Sequence, residues 1–134
     1  MQRTALMIIA TVFWMAASGV SAQDMPPKEN TGVEATVLTS IDLGPEIDGM
    51  QGRQLRLRKV TIAPGGVIAL HSHADRPAVA HVLEGTLTIH VEGQPDEEFA
   101  AGESSAEGKA AMHWAENKGS APVVLLVTDI LKQQ

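Results

Sequence analysis

The chain contains no cysteine, so disulfides and thiol chemistry are both excluded. Basic residues are also scarce, with 10 Lys and Arg against 16 Asp and Glu and a formal charge of -6. No basic cluster is larger than "RQLRLRK" (residues 53–59), and an acidic surface repels phosphate backbones. Nucleic acid is therefore not an expected partner. Beyond residue 22 there is no helical periodicity longer than a single turn, no internal repeat and no low-complexity tract. That part also lacks an apolar run long enough to cross a bilayer, so no membrane association is expected of the mature form.

The apolar run that does exist lies at the start. "ALMIIATVFWMAA" (residues 5–17) is shorter than the ~20 residues a spanning helix needs. It follows a single charge, Arg3, and leads into "SGVSA", where Val20 and Ala22 occupy the small-residue positions of a cleavage site. Residues 1–22 are read as a signal peptide cut after Ala22, which implies a periplasmic or secreted protein. The alternative is an uncleaved anchor. Gln23 to Gln134 leaves 112 of the 134 residues, enough for one domain with one core.

Residues 23–32, "QDMPPKENTG", are polar with Pro26-Pro27 and read as a flexible arm. Residues 33–134 read as one all-β domain. "VEATVLTSI" (33–41) alternates, and "RQLRLRKVTIA" (53–63) is a strand whose apolar positions change parity near Lys59 and Val60, predicting a bulge or bend there. A turn is expected at Pro64-Gly65-Gly66, followed by the strands "VIALHSH", "AVAHVLE" and "TLTIHVE". "APVVLLVTDIL" (121–131) is almost continuously apolar and predicts a buried strand. Short strands between Gly and Pro turns indicate a sandwich or barrel.

His71 and His73 stand at i and i+2 of a strand, so both imidazoles project from one face, about 7 Å apart along the strand. That suits convergence on one ion, although two such residues on an exposed face can equally be solvated. The surrounding spacing resembles the first motif of the cupin superfamily. Gly65, five residues, His71-Ser72-His73, four residues, Ala78, six residues and Gly85 follow it, with Ala78 in the place of the family's glutamate. The second motif is matched by Gly102, His113 and Asn117, while Gly108 and Ala110 replace its proline and glycine.

The resemblance implies a cupin-type β-barrel (a double-stranded β-helix, or jelly roll) with His71, His73 and His113 as metal ligands in its mouth. The ion implied is a divalent transition metal, Fe in preference to Zn, Mn, Ni or Cu; neutral imidazole suits Fe, Zn, Cu and Ni. With Ala78 in the glutamate's place the expected ligand set is uncharged, which would make the ion a stronger Lewis acid. Asp75, in the loop after His73, is the alternative fourth ligand, against its reading as a solvated turn residue. Glu84 is expected at the rim. Ala78 and Ala80 are expected to face inward and widen the pocket, with Met112 beside it.

His81, with Val79 and Leu83, is expected on the outer face at a homodimer interface, and His90 at an ordinary exposed position. Trp114 is expected in packing and Asn117 in a structural turn. The implied function is a mononuclear, oxygenase-like enzyme acting on a small organic molecule. A non-catalytic small-ligand or metal binder and a Zn-dependent hydrolase or lyase are the alternatives. No catalytic base stands out.

Overall fold

The computed structural model describes residues 25–133. They form eight strands: β1 (Thr31–Asp42), β2 (Arg53–Ser72), β3 (Ala78–Glu84), β4 (Thr86–Val91), β5 (Glu97–Ala100), β6 (Ser104–Glu107), β7 (Met112–Glu116) and β8 (Val123–Lys132). There is no helix among them. The strand order is β5-β4-β7-β2-β8-β3-β6, with β1 paired to β2. The all-β, jelly-roll expectation holds for the described residues; the expected signal peptide, residues 1–22, lies outside them.

β2 joins the two halves of a nearly closed barrel. Its first part pairs with β1 and β8, and its last part pairs with β7. The expected turn at residues 64–66 is instead a corner within one continuous strand. Gly65 sits there at φ 71°, the left-handed region, and a Cβ on Gly66 would come within 2.9 Å of the Gly32 carbonyl oxygen. Gly85 makes the β3–β4 turn under the same two constraints, with φ 78° and the Pro122 carbonyl 2.7 Å from any added Cβ.

The parity change expected in β2 does not occur. Its register with β8 runs without a shift from Arg53 opposite Lys132 to Ile62 opposite Val123. The apparent change arises because Arg56 and Arg58 take the inner positions in line with buried Val60 and Ile62. There they bind Asp129, whose carboxylate accepts from Arg56 Nε (3.0 Å), Arg56 Nη2 (2.9 Å) and Arg58 Nη2 (3.1 Å). An irregularity does exist nearby, in β1 between Val37 and Thr39.

The arm also differs from expectation. β1 begins at Thr31, opposite Val67, the Leu70 amide donates to the Pro27 carbonyl, and the Ala69 amide donates to Asn30 Oδ1. These residues cover backbone donors along the far end of β2 that β1 does not reach. β8 buries one face only: Val123, Leu125, Val127 and Asp129 point inward, while Val124 and Leu126 are half-buried on the outside. The interior is completed by Ala80, Val82, Leu87, Ile89 and Ala115.

Candidate metal centre

His71 lies near the end of β2 and His73 one residue beyond it, and the ladder sets His71 directly opposite His113 of β7. The His73 amide donates to the Ala111 carbonyl, which ties the end of β2 to the approach to β7. The three rings meet with centroids 4.7–4.9 Å apart. His113 Nε2 is 3.2 Å from His73 Nε2 and 3.2 Å from His71 Nε2. All three predicted residues are thus brought together.

Tautomers follow from their partners. His71 Nδ1 is 2.8 Å from the Ala69 carbonyl and His73 Nδ1 is 2.9 Å from the Arg76 carbonyl. A carbonyl only accepts, so both Nδ1 atoms carry the proton and both Nε2 atoms present lone pairs to the cluster. Burial pushes the pKa of His71 and His73 down, against the pull of those carbonyl bonds. His113 is pushed down to about 4 by burial and by the two neighbouring imidazoles. At neutral pH the rings are uncharged and ready to ligate.

Donors about 2.1 Å from one ion lie about 3.0 Å apart along an octahedral edge and about 3.4 Å apart along a tetrahedral one. The two 3.2 Å separations fall between these values, so the residues fit a single ion. His71, His73 and His113 could hold it.

One acidic residue stands beside the three histidines. Glu107, at the end of β6, places Oε2 3.1 Å from His73 Nε2 and Oε1 3.7 Å from His113 Nε2. Burial raises its pKa, partly offset by the nearby His71 ring and by a bond from Ser105 Oγ. Ala78, in the place of the resembled family's glutamate, is directly opposite Glu107 in the β3–β6 ladder. Asp75 is exposed, and its backbone carbonyl accepts from Arg53 Nη1. Glu107 carries a sequence signal in hindsight: with buried Ser105 it shares the inward parity of "SSAE", where an acid is out of place unless it has a partner.

The histidines front a cavity of about 240 Å³. Its walls are mostly apolar, including Val60, Ile68, Leu87 and Leu125, while Asn30, Arg58 and Arg76 add polar groups. Ala80 lines it as expected and Ala78 is buried; Met112 is 55% exposed and does not line it. Glu84 is exposed, lies opposite Val124 at the far end of β3 from Ala78, and does not line the cavity.

The remaining residues separate from this centre. Val79 and Leu83 are exposed, and His81 on the same outer face has Nδ1 2.8 Å from Ser104 Oγ. His90 is more constrained than expected: it stacks on Trp114 at 3.7 Å, with Nδ1 2.7 Å from Asp96 and Nε2 2.8 Å from Glu116. Asn117 is structural, as expected. Its Nδ2 donates to the Ile62 and Ala121 carbonyls, and its Oδ1 accepts from the Gly119 amide.

Fold and donor set together define a small all-β barrel with a candidate metal centre at its mouth. Residues 58–129, more than half of the chain, match the Cupin domain family, and the chain belongs to it. Among solved structures it is similar to a predicted oxalate decarboxylase from Thermotoga maritima, at 21% identity and TM-score 0.61 over 79% of this chain and 93% of that one. It is similar to oxalate oxidase in complex with glycolate, at 22% identity and TM-score 0.55 over 75% and 55%. The cupin domain of an XRE family transcriptional regulator from Enterobacter cloacae aligns at 15% identity and TM-score 0.55 over 78% and 100%. No curated protein matches in sequence. At these identities the structural likeness concerns the fold, and enzymes and a regulator share it.

Proposed function

We propose that this cupin is an exported, mononuclear metal-dependent enzyme of the oxygenase kind, acting on a small organic molecule. The observation that carries the reading is the convergence of three Nε2 atoms, two of them held as lone-pair donors by backbone carbonyls, at one end of an apolar cavity. Fe is the favoured ion, with Zn, Mn, Ni and Cu as alternatives. When bound, such an ion supplies Lewis acidity and, for Fe, redox capacity.

The chain's own contribution is positioning. The Ala69 and Arg76 carbonyls fix the ring orientations, and the apolar part of the wall gives a ligand a non-polar surface to pack against. At about 240 Å³ the cavity is smaller than the ~300–1,000 Å³ of drug-sized sites, which favours a small substrate. The neutral state of the imidazoles supports metal uptake at physiological pH.

Single replacement of His71, His73 or His113 by Ala should sharply lower the metal content of purified protein, whereas His90→Ala should not. Equal retention in all four variants would overturn the assignment. Oxygen uptake by anaerobically prepared, Fe-loaded protein, screened against small organic acids and alcohols, separates an enzyme from a binder: saturation without turnover favours the binder. For export, mass spectrometry should find Gln23 as the N-terminus; a membrane-held species beginning at Met1 would refute it.

A further inference from the structure

We infer that Glu107 is the fourth protein ligand of this centre, supplied from β6 in place of the carboxylate that position 78 does not provide. The inference rests on the three-histidine reading and extends it by one residue. Position 78 and Glu107 are paired directly across the β3–β6 ladder, so one inward carboxylate can reach the same space from either strand. Ala78 leaves that space open, and Glu107 fills it with a side chain only 12% exposed.

The chemistry of the contacts points the same way. His73 Nε2 is a lone-pair atom because its Nδ1 proton is committed to the Arg76 carbonyl. Glu107 Oε2, an acceptor when ionised, sits 3.1 Å from it. Two acceptors at that distance repel unless a proton or a cation lies between them. The same holds for His71 Nε2 and His73 Nε2 against His113 Nε2, which in a neutral ring could donate to one of them only. One shared cation satisfies the three imidazoles and, with a small shift of its side chain toward them, the Glu107 carboxylate, whereas a single shared proton satisfies two. The 3.1 Å separation also matches the spacing expected of neighbouring donors on one ion.

A carboxylate in the set changes the expected chemistry. The site would carry one formal positive charge with a dication bound, rather than two, so the ion would be a milder Lewis acid. An oxygen donor beside three imidazoles also favours Fe and Mn over the softer choices.

The test is titration of metal-free protein with Co²⁺ by calorimetry, with absorption spectra of the bound ion, for the wild type, Glu107→Gln, Glu107→Ala, Asp75→Asn and His113→Ala. Loss of a first ligand should weaken Co²⁺ binding by at least the roughly 10–100-fold typical of outer partners. Both Glu107 variants should show this loss with an altered Co²⁺ spectrum, and Asp75→Asn should match wild type. Melting of the metal-free proteins separates a ligand from a structural prop. A buried carboxylate facing lone pairs is costly without its cation, so Glu107→Ala should melt no lower than wild type but lose the Co²⁺-induced rise. Affinity and spectrum unchanged in both Glu107 variants, with binding lost in His113→Ala, would overturn the role of Glu107 alone. Unchanged binding in His113→Ala as well would overturn the histidine centre itself. A metal-free Glu107→Ala that melts well below wild type would assign Glu107 to structure.

Discussion

Replacing Asp129 by Asn should destabilise the barrel by about 3 kcal/mol, the lower end of the range for breaking a buried ion pair. Asp129 is 1% exposed and serves two arginines at 2.9–3.1 Å, with Arg76 Nε at 3.8 Å. Asn keeps the shape but removes the charge, leaving the Arg56 and Arg58 guanidiniums together on the inner face. Their side chains are 18% and 19% exposed, so water screens part of the repulsion, which argues for the lower end. For a domain of this size about 3 kcal/mol corresponds to a fall of roughly 13 °C in Tm. Burial pushes the Asp129 pKa up, but the Arg56 hydrogen bonds and the charges of Arg58, Arg56 and Arg76 outweigh this and hold it below the ordinary value. A depressed carboxyl stabilises the fold fully above its unfolded pKa of ~3.9, and this stabilisation is lost as pH falls through the lower folded value. The difference between wild type and Asp129→Asn, measured by calorimetry, should therefore be unchanged between pH 7 and 5 and shrink below about pH 4. A variant within 0.5 kcal/mol of wild type at pH 7, or a difference already gone at pH 5, would refute the reasoning.

Two further outcomes follow from named contacts. Asn117→Ala deletes three side-chain hydrogen bonds from a residue 1% exposed, at about 1 kcal/mol each. Tm should fall by roughly 13 °C while Co²⁺ affinity stays at the wild-type value, and a large loss of affinity would contradict a purely structural role. On the outer face, Leu126 lies opposite both Lys59 and His81, and exposed Val79 and Leu83 share its side, an apolar surface suited to a second copy of the chain. Sedimentation at micromolar concentration should give a dimer that Val79→Glu converts to monomer; a wild-type monomer would refute the homodimer.

How far the sequence discloses this molecule depends on the range of the interaction concerned. β3 is legible from alternation, since Ala78, Ala80 and Val82 are buried and Val79 and Leu83 exposed, as their parity requires. His71 and His73 are legible because i and i+2 on a strand share a face, and His113 because motif spacing places it. β2 misleads where apolar residues are assumed to point inward. Leu55 and Leu57 take the outer face because Arg56 and Arg58 have an inward partner in Asp129, 71 to 73 residues away. His90 misleads likewise, since Asp96 and Glu116 reach it from the β4–β5 connection and from β7.

Glu107 was hidden for a related reason, and the sheet order shows what surrounds it. Ala78 pairs with Asp129 on one side and Glu107 on the other, and Asp129 pairs in turn with Arg56. Read across four strands, the inner row is Arg56, Asp129, Ala78, Glu107. A carboxylate at position 78 would stand between two acids, and like charges directly opposite one another destabilise a ladder. The alanine separates them and lets each acid find its own cations: arginines for Asp129 and, on the inference above, a metal for Glu107. Substituting Glu at Ala78 in the otherwise intact chain should therefore lower metal-free stability instead of simply adding a ligand. An Ala78→Glu variant as stable as wild type without metal would show that the row tolerates a third acid and that this account of Ala78 is wrong.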